Sequence, residues 1–244
     1  MNQIAFRQPM HVYRSDSCPA GLGGYSHTGF ACRYYLPDDL LFRASNNLLE
    51  HIAAIITPWV DILAGRLSKG DCALSMTDST TSKGWLQKTN FLEDVGSVQA
   101  SVRIQVACKH ALRYMHQEIR DYSQWFPGIE NNVADVLSRE RDLSDDKLTN
   151  LLRLSFPKQT PTFFVIVPLL NDIVLWLTLL LWQMPVNERF REEHTRTMLG
   201  RGNDGLSTAS QQDSHMTPTS PHSPANSGSK SSELSQLPSE MLDL

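Results

Sequence analysis

The residue whose side chain is best suited to chemistry is Asp135, a carboxylate that follows a predicted strand and turn. The strand is predicted at 122–126, the Pro-Gly pair after it is typical of a turn, and the next Asn residues can cap a helix. Near the start of that helix the helix dipole favours a negative charge. Asp135 can therefore pair with Arg139 one helical turn later, or it can point toward the groups at the end of the strand.

The motif around this carboxylate resembles the end of the RNase H domain of retrotransposon reverse transcriptases. It reads Pro-Gly-x-x-Asn-x-Val-Ala-Asp-x-Leu-Ser-Arg, from Pro127 to Arg139. The resemblance covers about residues 10–140 and implies that Asp135 is the last of four metal-binding carboxylates. It also requires three earlier acids, one on a first strand, one on a first helix and one at the end of a fourth strand. We identify these acids as Asp16, Glu50 and Asp78.

The first two acids lie in plausible surroundings. Asp16 ends a predicted strand and precedes small residues and glycines, as in the opening motif of the family. The alternative for Asp16 is a solvent-facing carboxylate beside a flexible turn. Glu50 is the one acid in the apolar first half of a helix predicted at 46–67, and Asn-Leu-Leu-Glu is similar to the family at this point. The alternative for Glu50 is a first-turn acid that the helix dipole favours.

The third acid, Asp78, ends a short and largely apolar segment at 71–78, which suits a buried strand of a mixed sheet. Thr77-Asp78 matches the third acid of the family, although many relatives have Asn where this chain has Ser79. The alternative is that Asp78 caps the short helix or turn predicted at 79–88.

Four such carboxylates suit the hydrolysis of a phosphodiester bond. Two Mg²⁺ ions about 3.5–4 Å apart can serve both sides of an in-line displacement, and Mg²⁺, or Mn²⁺ in its place, prefers oxygen ligands. The resemblance implies that Asp16 bridges the two ions and that Asp135 holds the ion that activates water. Glu50 and Asp78 would hold the ion nearer the leaving group. Without metal, mutual repulsion predicts raised pKa values in this cluster.

The resemblance implies a retroelement-derived ribonuclease H, which hydrolyses the RNA strand of RNA–DNA hybrids endonucleolytically. Contacts to 2′-hydroxyls would supply the specificity for RNA. The implied partners are an RNA–DNA hybrid and a polymerase domain supplied elsewhere, because the chain carries no Tyr-x-Asp-Asp polymerase motif.

Two residues favour an alternative, an inactive or weak RNase H-like remnant that acts as a nucleic-acid-binding or structural module. One is Ser79, and the other is Trp125, which stands where relatives often carry a His thought to help proton transfer or product release. A transposase or integrase of the same superfold is a third reading. Those enzymes usually carry Asp, Asp and Glu in that order, whereas here the Glu comes second.

The resemblance implies an α/β fold, an RNase H-like mixed five-stranded sheet flanked by helices over 10–141. Strand-like segments within 11–35 predict a three-stranded antiparallel meander. Pro58 is expected to kink or divide the helix at 46–67. Apolar residues at helical spacing predict a further helix at 98–119.

Residues 142–199 are predicted to form a helical and apolar extension. It contains a charged amphipathic helix at 142–154, a strand-like or extended segment at 163–170 and the most apolar stretch of the chain at 172–183. The uninterrupted apolar run there is shorter than the roughly 20 residues that a membrane span needs. We therefore expect a helix that docks on the core or on a partner, because apolar surfaces of this kind usually mark an interface.

Residues 1–9 are predicted as an N-terminal extension, and the Ser/Pro-rich residues 200–244 as a disordered tail that cannot bury enough apolar surface to fold. The formal net charge of -4 does not by itself indicate a nucleic-acid binder. The four cysteines are far apart and form no Cys-x-x-Cys pair, so we expect reduced thiols in core or strand positions. Because no signal peptide is visible, we expect an intracellular protein of the cytoplasm or nucleus and not a secreted one.

Overall fold

A computed structural model describes residues 9–87 and 97–192 of the chain, together with Arg196. The predicted N-terminal extension, except for its last residue, lies outside the described residues. The predicted disordered tail at 200–244 also lies outside them.

The described residues form an α/β fold built on one mixed sheet of six strands. The strands are β1 His11–Cys18, β2 Gly21–Ser26, β3 Phe30–Tyr35, β4 Cys72–Thr77, β5 Arg120–Trp125 and β6 Val165–Val167. Their order across the sheet is β5-β4-β1-β2-β3-β6. β1, β2 and β3 form the predicted antiparallel meander. β4 lies parallel to β1, β5 lies parallel to β4, and β6 lies parallel to β3 at the other edge.

The five strands predicted over 10–141 are present as β1 to β5, but the sheet has a sixth strand, which the extension contributes. Within the segment predicted as extended, Val165–Val167 pairs with Phe30, Ala31 and Cys32 of β3. Without β6, β3 would be an edge strand with a row of unpaired backbone groups. The extension therefore completes the sheet, and 10–141 does not contain every strand.

Helices cover both faces of the sheet. They are α1 Asn46–Leu63, α2 Thr80–Gln87, α3 Val98–His116, α4 Asn132–Arg139, α5 Asp145–Ser155 and α6 Asn171–Trp182. Successive residues of a strand point to opposite faces. A Cβ placed at Gly24 would meet Thr57 of α1, whereas one at Gly23 would meet Leu137 and Ala134 of α4. Thus α1 packs on one face of the sheet and α4 on the other.

The helix predicted at 46–67 is α1, and Pro58 does not divide it. A proline inside a helix removes one backbone hydrogen bond and costs about 3 kcal/mol. Against that cost, Ile55, Ile56 and Trp59 around the proline are almost completely buried in the main core. Tertiary packing of this kind supplies most of the stability of a helix in a protein. Of the two expected effects of Pro58, a kink or a division of the helix, division does not occur.

The most apolar stretch of the chain forms α6, which docks on the main core as expected. Its inner side contributes Ile173, Leu177, Leu180 and Leu181 to that core. Its outer side leaves Leu175, Leu179 and Trp182 exposed. Among the described residues, no helix has both the length and the apolar character needed to cross a membrane.

All four cysteines are free. Cys18, Cys32 and Cys72 are buried strand residues, as expected. Cys108 is exposed on α3, so the expectation of a core or strand position was wrong for this residue.

Candidate metal centre

Three of the four predicted carboxylates meet in space. One carboxylate oxygen from each of Asp16, Glu50 and Asp78 lies within 4.8 Å of the other two. The three residues come from β1, from α1 and from the position just after β4. Because all three groups offer carboxylate oxygen, this cluster could hold a hard cation such as Mg²⁺.

The sheet register brings two of the acids together. β1 and β4 are parallel neighbours, with Arg14 opposite Met76. Two residues further along each chain, Asp16 is level with Asp78, at the end where β4 stops. The carboxylates therefore reach the same end of the sheet, although 61 residues separate them in the chain. α1 packs across β1 and brings Glu50 to the same point.

The first two acids are buried, contrary to their alternative interpretations. Asp16 is only 5% exposed and lies within β1, so it is not a solvent-facing residue at a strand end. Glu50 is 6% exposed and falls in the second turn of α1, so it is not a first-turn acid. Its Oε2 is buried and has no hydrogen-bond partner among the described residues. A buried, unpaired carboxylate oxygen is costly, and a bound cation would compensate for it.

Asp78 is not the cap of the following helix. The main-chain N–H of Ser82 donates to the Oγ of Ser79 over 3.1 Å, which is the pattern of a serine cap at the start of α2. Ser79, which departs from the family pattern, therefore has a local structural function. The carboxyl of Asp78 is left to face the other two acids.

The cluster has raised pKa values, as expected, although repulsion is not the first cause. Burial raises the pKa of Asp16 to about 7, and the charges of Asp135 and Asp78 add to it. Burial also raises the pKa of Glu50 to about 8, followed by the charges of Asp16 and Asp78. The pKa of Asp78 is raised as well, again first by burial. Such a cluster favours either protons or a metal cation over three free negative charges.

The fourth predicted carboxylate, Asp135, lies outside this group of three. Its Oδ1 accepts from the Nε of Arg139 over 2.6 Å, and its side chain is 46% exposed. The structure thus has the ion pair that was the alternative for this residue. Asp135 nevertheless lies near enough for its charge to raise the pKa of Asp16, and the guanidinium of Arg139 lies 3.9 Å from the Asp16 carboxylate.

Sequence reasoning missed the groups that support the carboxylates. The Oγ of Ser138 donates to the Oδ2 of Asp16 over 3.0 Å. A Cβ added at Gly128 would lie 2.9 Å from the Oδ2 of Asp78, so the glycine leaves room for that carboxylate. Both residues stand inside the recognised motif, but neither its spacing nor its residue types could show which acid each would contact.

The side chain of Asn131 does not make the predicted helix cap. It occupies the cap position of α4, but its side chain makes no capping hydrogen bond. The amide instead donates to the carbonyl of Ser15 over 2.9 Å and is buried. Asn131 therefore ties the start of α4 to β1, beside Asp16.

Comparison of the chain with protein-family models found no match, and comparison with curated proteins found none either.

Proposed function

We propose that the protein is a ribonuclease H that hydrolyses the RNA strand of RNA–DNA hybrids and that it derives from a retroelement. The observation that carries the proposal is the convergence of Asp16, Glu50 and Asp78 from a strand, a helix and the end of a neighbouring parallel strand. This chain order and the meander of β1 to β3 are what the resemblance to the RNase H domain implies. The substrate partner would be the hybrid, inside the cell, with a polymerase domain supplied elsewhere.

The residues present could hold a metal ion, and in this proposal they hold two Mg²⁺ or Mn²⁺ ions. Asp16, Glu50 and Asp78 would hold them, and Asp135 would join after leaving Arg139. When bound, such ions supply an activated water and positive charge for the leaving oxygen. The hydrogen bond from Ser138 orients the Asp16 carboxylate toward this role. The buried and unpartnered Oε2 of Glu50 is a further atom suited to a cation.

A second candidate function is a nucleic-acid-binding or structural module with little catalysis. The pairing of Asp135 with Arg139 favours it, because this carboxylate is then engaged elsewhere. The indole of Trp125 at the position of the family's His favours it too, since an indole has no acid–base function near neutral pH.

Cleavage of a labelled RNA–DNA hybrid by the full chain, with Mg²⁺ or Mn²⁺, tests the two candidates. Asp78→Asn removes one cluster carboxylate, and Asp142→Asn is the matched control at an exposed position outside the cluster. We expect cleavage by the wild type and by Asp142→Asn. Asp78→Asn should lose at least about 100-fold, more than the loss of a supporting contact to a ligand usually costs.

The melting temperature with and without Mn²⁺ separates metal binding from cleavage. A rise that Asp78→Asn loses, without any cleavage, would favour the binding module with an intact metal site. If the protein shows no cleavage and its melting temperature does not rise with Mn²⁺, the proposed metal centre itself is overturned.

A further inference from the structure

A cavity of about 320 Å³ lies where the sheet meets the extension. Its lining combines Val12 and Arg14 of β1 with Tyr25 and His27 at the end of β2 and with residues 158–161, which follow α5. Arg14 shares a face of β1 with Asp16, because the two residues are two positions apart on one strand. The volume is at the lower end of the roughly 300–1,000 Å³ typical of small-molecule sites. The extension therefore forms one wall of a ligand-sized cavity.

The charge of this cavity suits an anion. Arg14 and Lys158 carry positive charge, and the lining contains no Asp or Glu. The Nδ1 of His27 accepts from the main-chain N–H of Val12 over 3.1 Å. The Nε2 of this ring therefore carries its proton and can donate a hydrogen bond. Three donors without a neighbouring carboxylate in the lining are typical of a phosphate-binding site.

The remaining lining is largely apolar, so it suits a ligand that has more than a phosphate group. Val12, Tyr25 and Pro161 add apolar surface to the cavity. A nucleotide unit offers both complementary features, namely a phosphate and an apolar ring face.

The cavity is joined to the carboxylate cluster through one turn. Arg14 donates to the carbonyl of Glu130 over 3.1 Å, and the Nε2 of Gln159 donates to the carbonyl of Ile129 over 3.4 Å. The same turn begins with Gly128, beside the Asp78 carboxylate. A strand that enters the cluster therefore meets this cavity along the same side of the sheet.

We propose that this cavity binds a nucleotide unit of a nucleic acid strand, with Arg14 and Lys158 at its phosphate and the apolar lining against its ring. The inference rests on the proposed function, which supplies the nucleic acid as ligand. It assigns the extension to substrate binding, a task that the resemblance does not give to this part of the chain.

Binding of a labelled RNA oligonucleotide to the full chain tests this inference, measured by fluorescence anisotropy in EDTA so that no cleavage occurs. Lys158→Gln removes one charge from the cavity, and Lys147→Gln removes one from an exposed position on α5 outside it. We expect Lys158→Gln to weaken binding several-fold. The slope of log Kd against log salt concentration should fall by about 0.7, the value for one phosphate contact with a single strand. Lys147→Gln should leave both quantities unchanged.

Equal effects of the two substitutions, or no binding of the oligonucleotide, would overturn the inference. AMP is the second probe, titrated while main-chain NMR signals of the lining are followed. Shifts with AMP but no oligonucleotide binding would assign the cavity to a free nucleotide and overturn its role for a strand. Oligonucleotide binding that depends on Lys158, without cleavage of the hybrid in Mg²⁺, would support the inference about the cavity. It would count against the proposed nuclease activity only.

Discussion

The indole Nε1 of Trp125 donates a hydrogen bond to the main-chain carbonyl of Asp78 over 2.8 Å. The two residues stand at the ends of neighbouring strands, since Trp125 of β5 is in register with Thr77 of β4. Trp125 occupies the position at which the family resemblance predicts a His. In this chain the indole at that position instead holds the backbone of Asp78, whose carboxylate belongs to the cluster.

Replacement of this indole by a ring without a donor should loosen Asp78. For Trp125→Phe we expect the free energy of unfolding to fall by about 0.5–1.5 kcal/mol, the net contribution of one hydrogen bond. Mn²⁺ affinity should fall by up to about 10-fold, as when a group that supports a metal ligand is lost. Denaturant unfolding and calorimetric titration measure the two effects. Trp182→Phe, at a comparably exposed indole on α6, should leave Mn²⁺ affinity unchanged, and an equal loss in both variants would contradict the assignment.

Space at Gly128 should control the position of the Asp78 carboxylate. In Gly128→Ala the new Cβ would lie 2.9 Å from the Asp78 Oδ2, closer than such contacts allow, so the carboxylate must move. We expect Mn²⁺ affinity to fall by about 10-fold or more, with a small change in stability. Gly84→Ala is the control, because a Cβ there meets nothing within 4 Å and α2 should become about 0.5–1 kcal/mol more stable. Unchanged Mn²⁺ affinity in Gly128→Ala would show that Asp78 is not a ligand.

Asp135 and Glu50 should contribute unequally to the binding of the first ion. Glu50→Gln removes a buried member of the group of three, so we expect the affinity to fall by about tenfold or more, or ~1.4 kcal/mol. Asp135→Asn breaks the pair with Arg139 and should leave the first binding step within about 0.5 kcal/mol of the wild type, the usual scale of an exposed i,i+4 pair. Calorimetric titration with Mn²⁺ separates the two. Equal losses would show that Asp135 leaves Arg139 to bind the first ion.

Stability without metal should fall as the pH rises. In the folded protein the pKa of Asp16 is about 7 and that of Glu50 about 8, above the usual values of these groups in an unfolded chain. Between about pH 4 and pH 8 the folded state therefore binds more protons than the unfolded state, and stability decreases with pH. We expect the melting temperature in EDTA to fall by about 4 °C or more from pH 5 to pH 8.5, at ~2–4 °C per kcal/mol for a domain of this size.

Glu50→Gln is the control for this pH dependence, because its amide does not titrate. The fall should become smaller in this variant, and Mn²⁺ should reduce it in the wild type by replacing the protons. A melting temperature that is constant or rises over this range would contradict the raised pKa values.

The local patterns of the sequence determined most elements and the chain order of the acids. Alternating apolar residues predicted the meander of β1 to β3, and helical spacing predicted α1 and α3, because both signals depend on neighbours a few residues apart. Asp16, Glu50 and Asp78 were identified from their motifs before their distances were known. The fold brings one carboxylate oxygen of each of these acids within 4.8 Å of the other two, because each acid lies at a fixed place on or beside a regular element.

Only the tertiary structure decided how the polar groups pair. Asp135 could bind Arg139 or a cation. Asn131 could cap α4 or reach Ser15, and either Asp78 or Ser79 could cap α2. Each choice depends on groups that the fold brings near. The sixth strand is a similar case, because the residues of β3 with which it pairs are 135 positions earlier in the chain. A sequence shows which donors and acceptors exist, whereas burial removes water as their alternative partner and so selects the pairs that form.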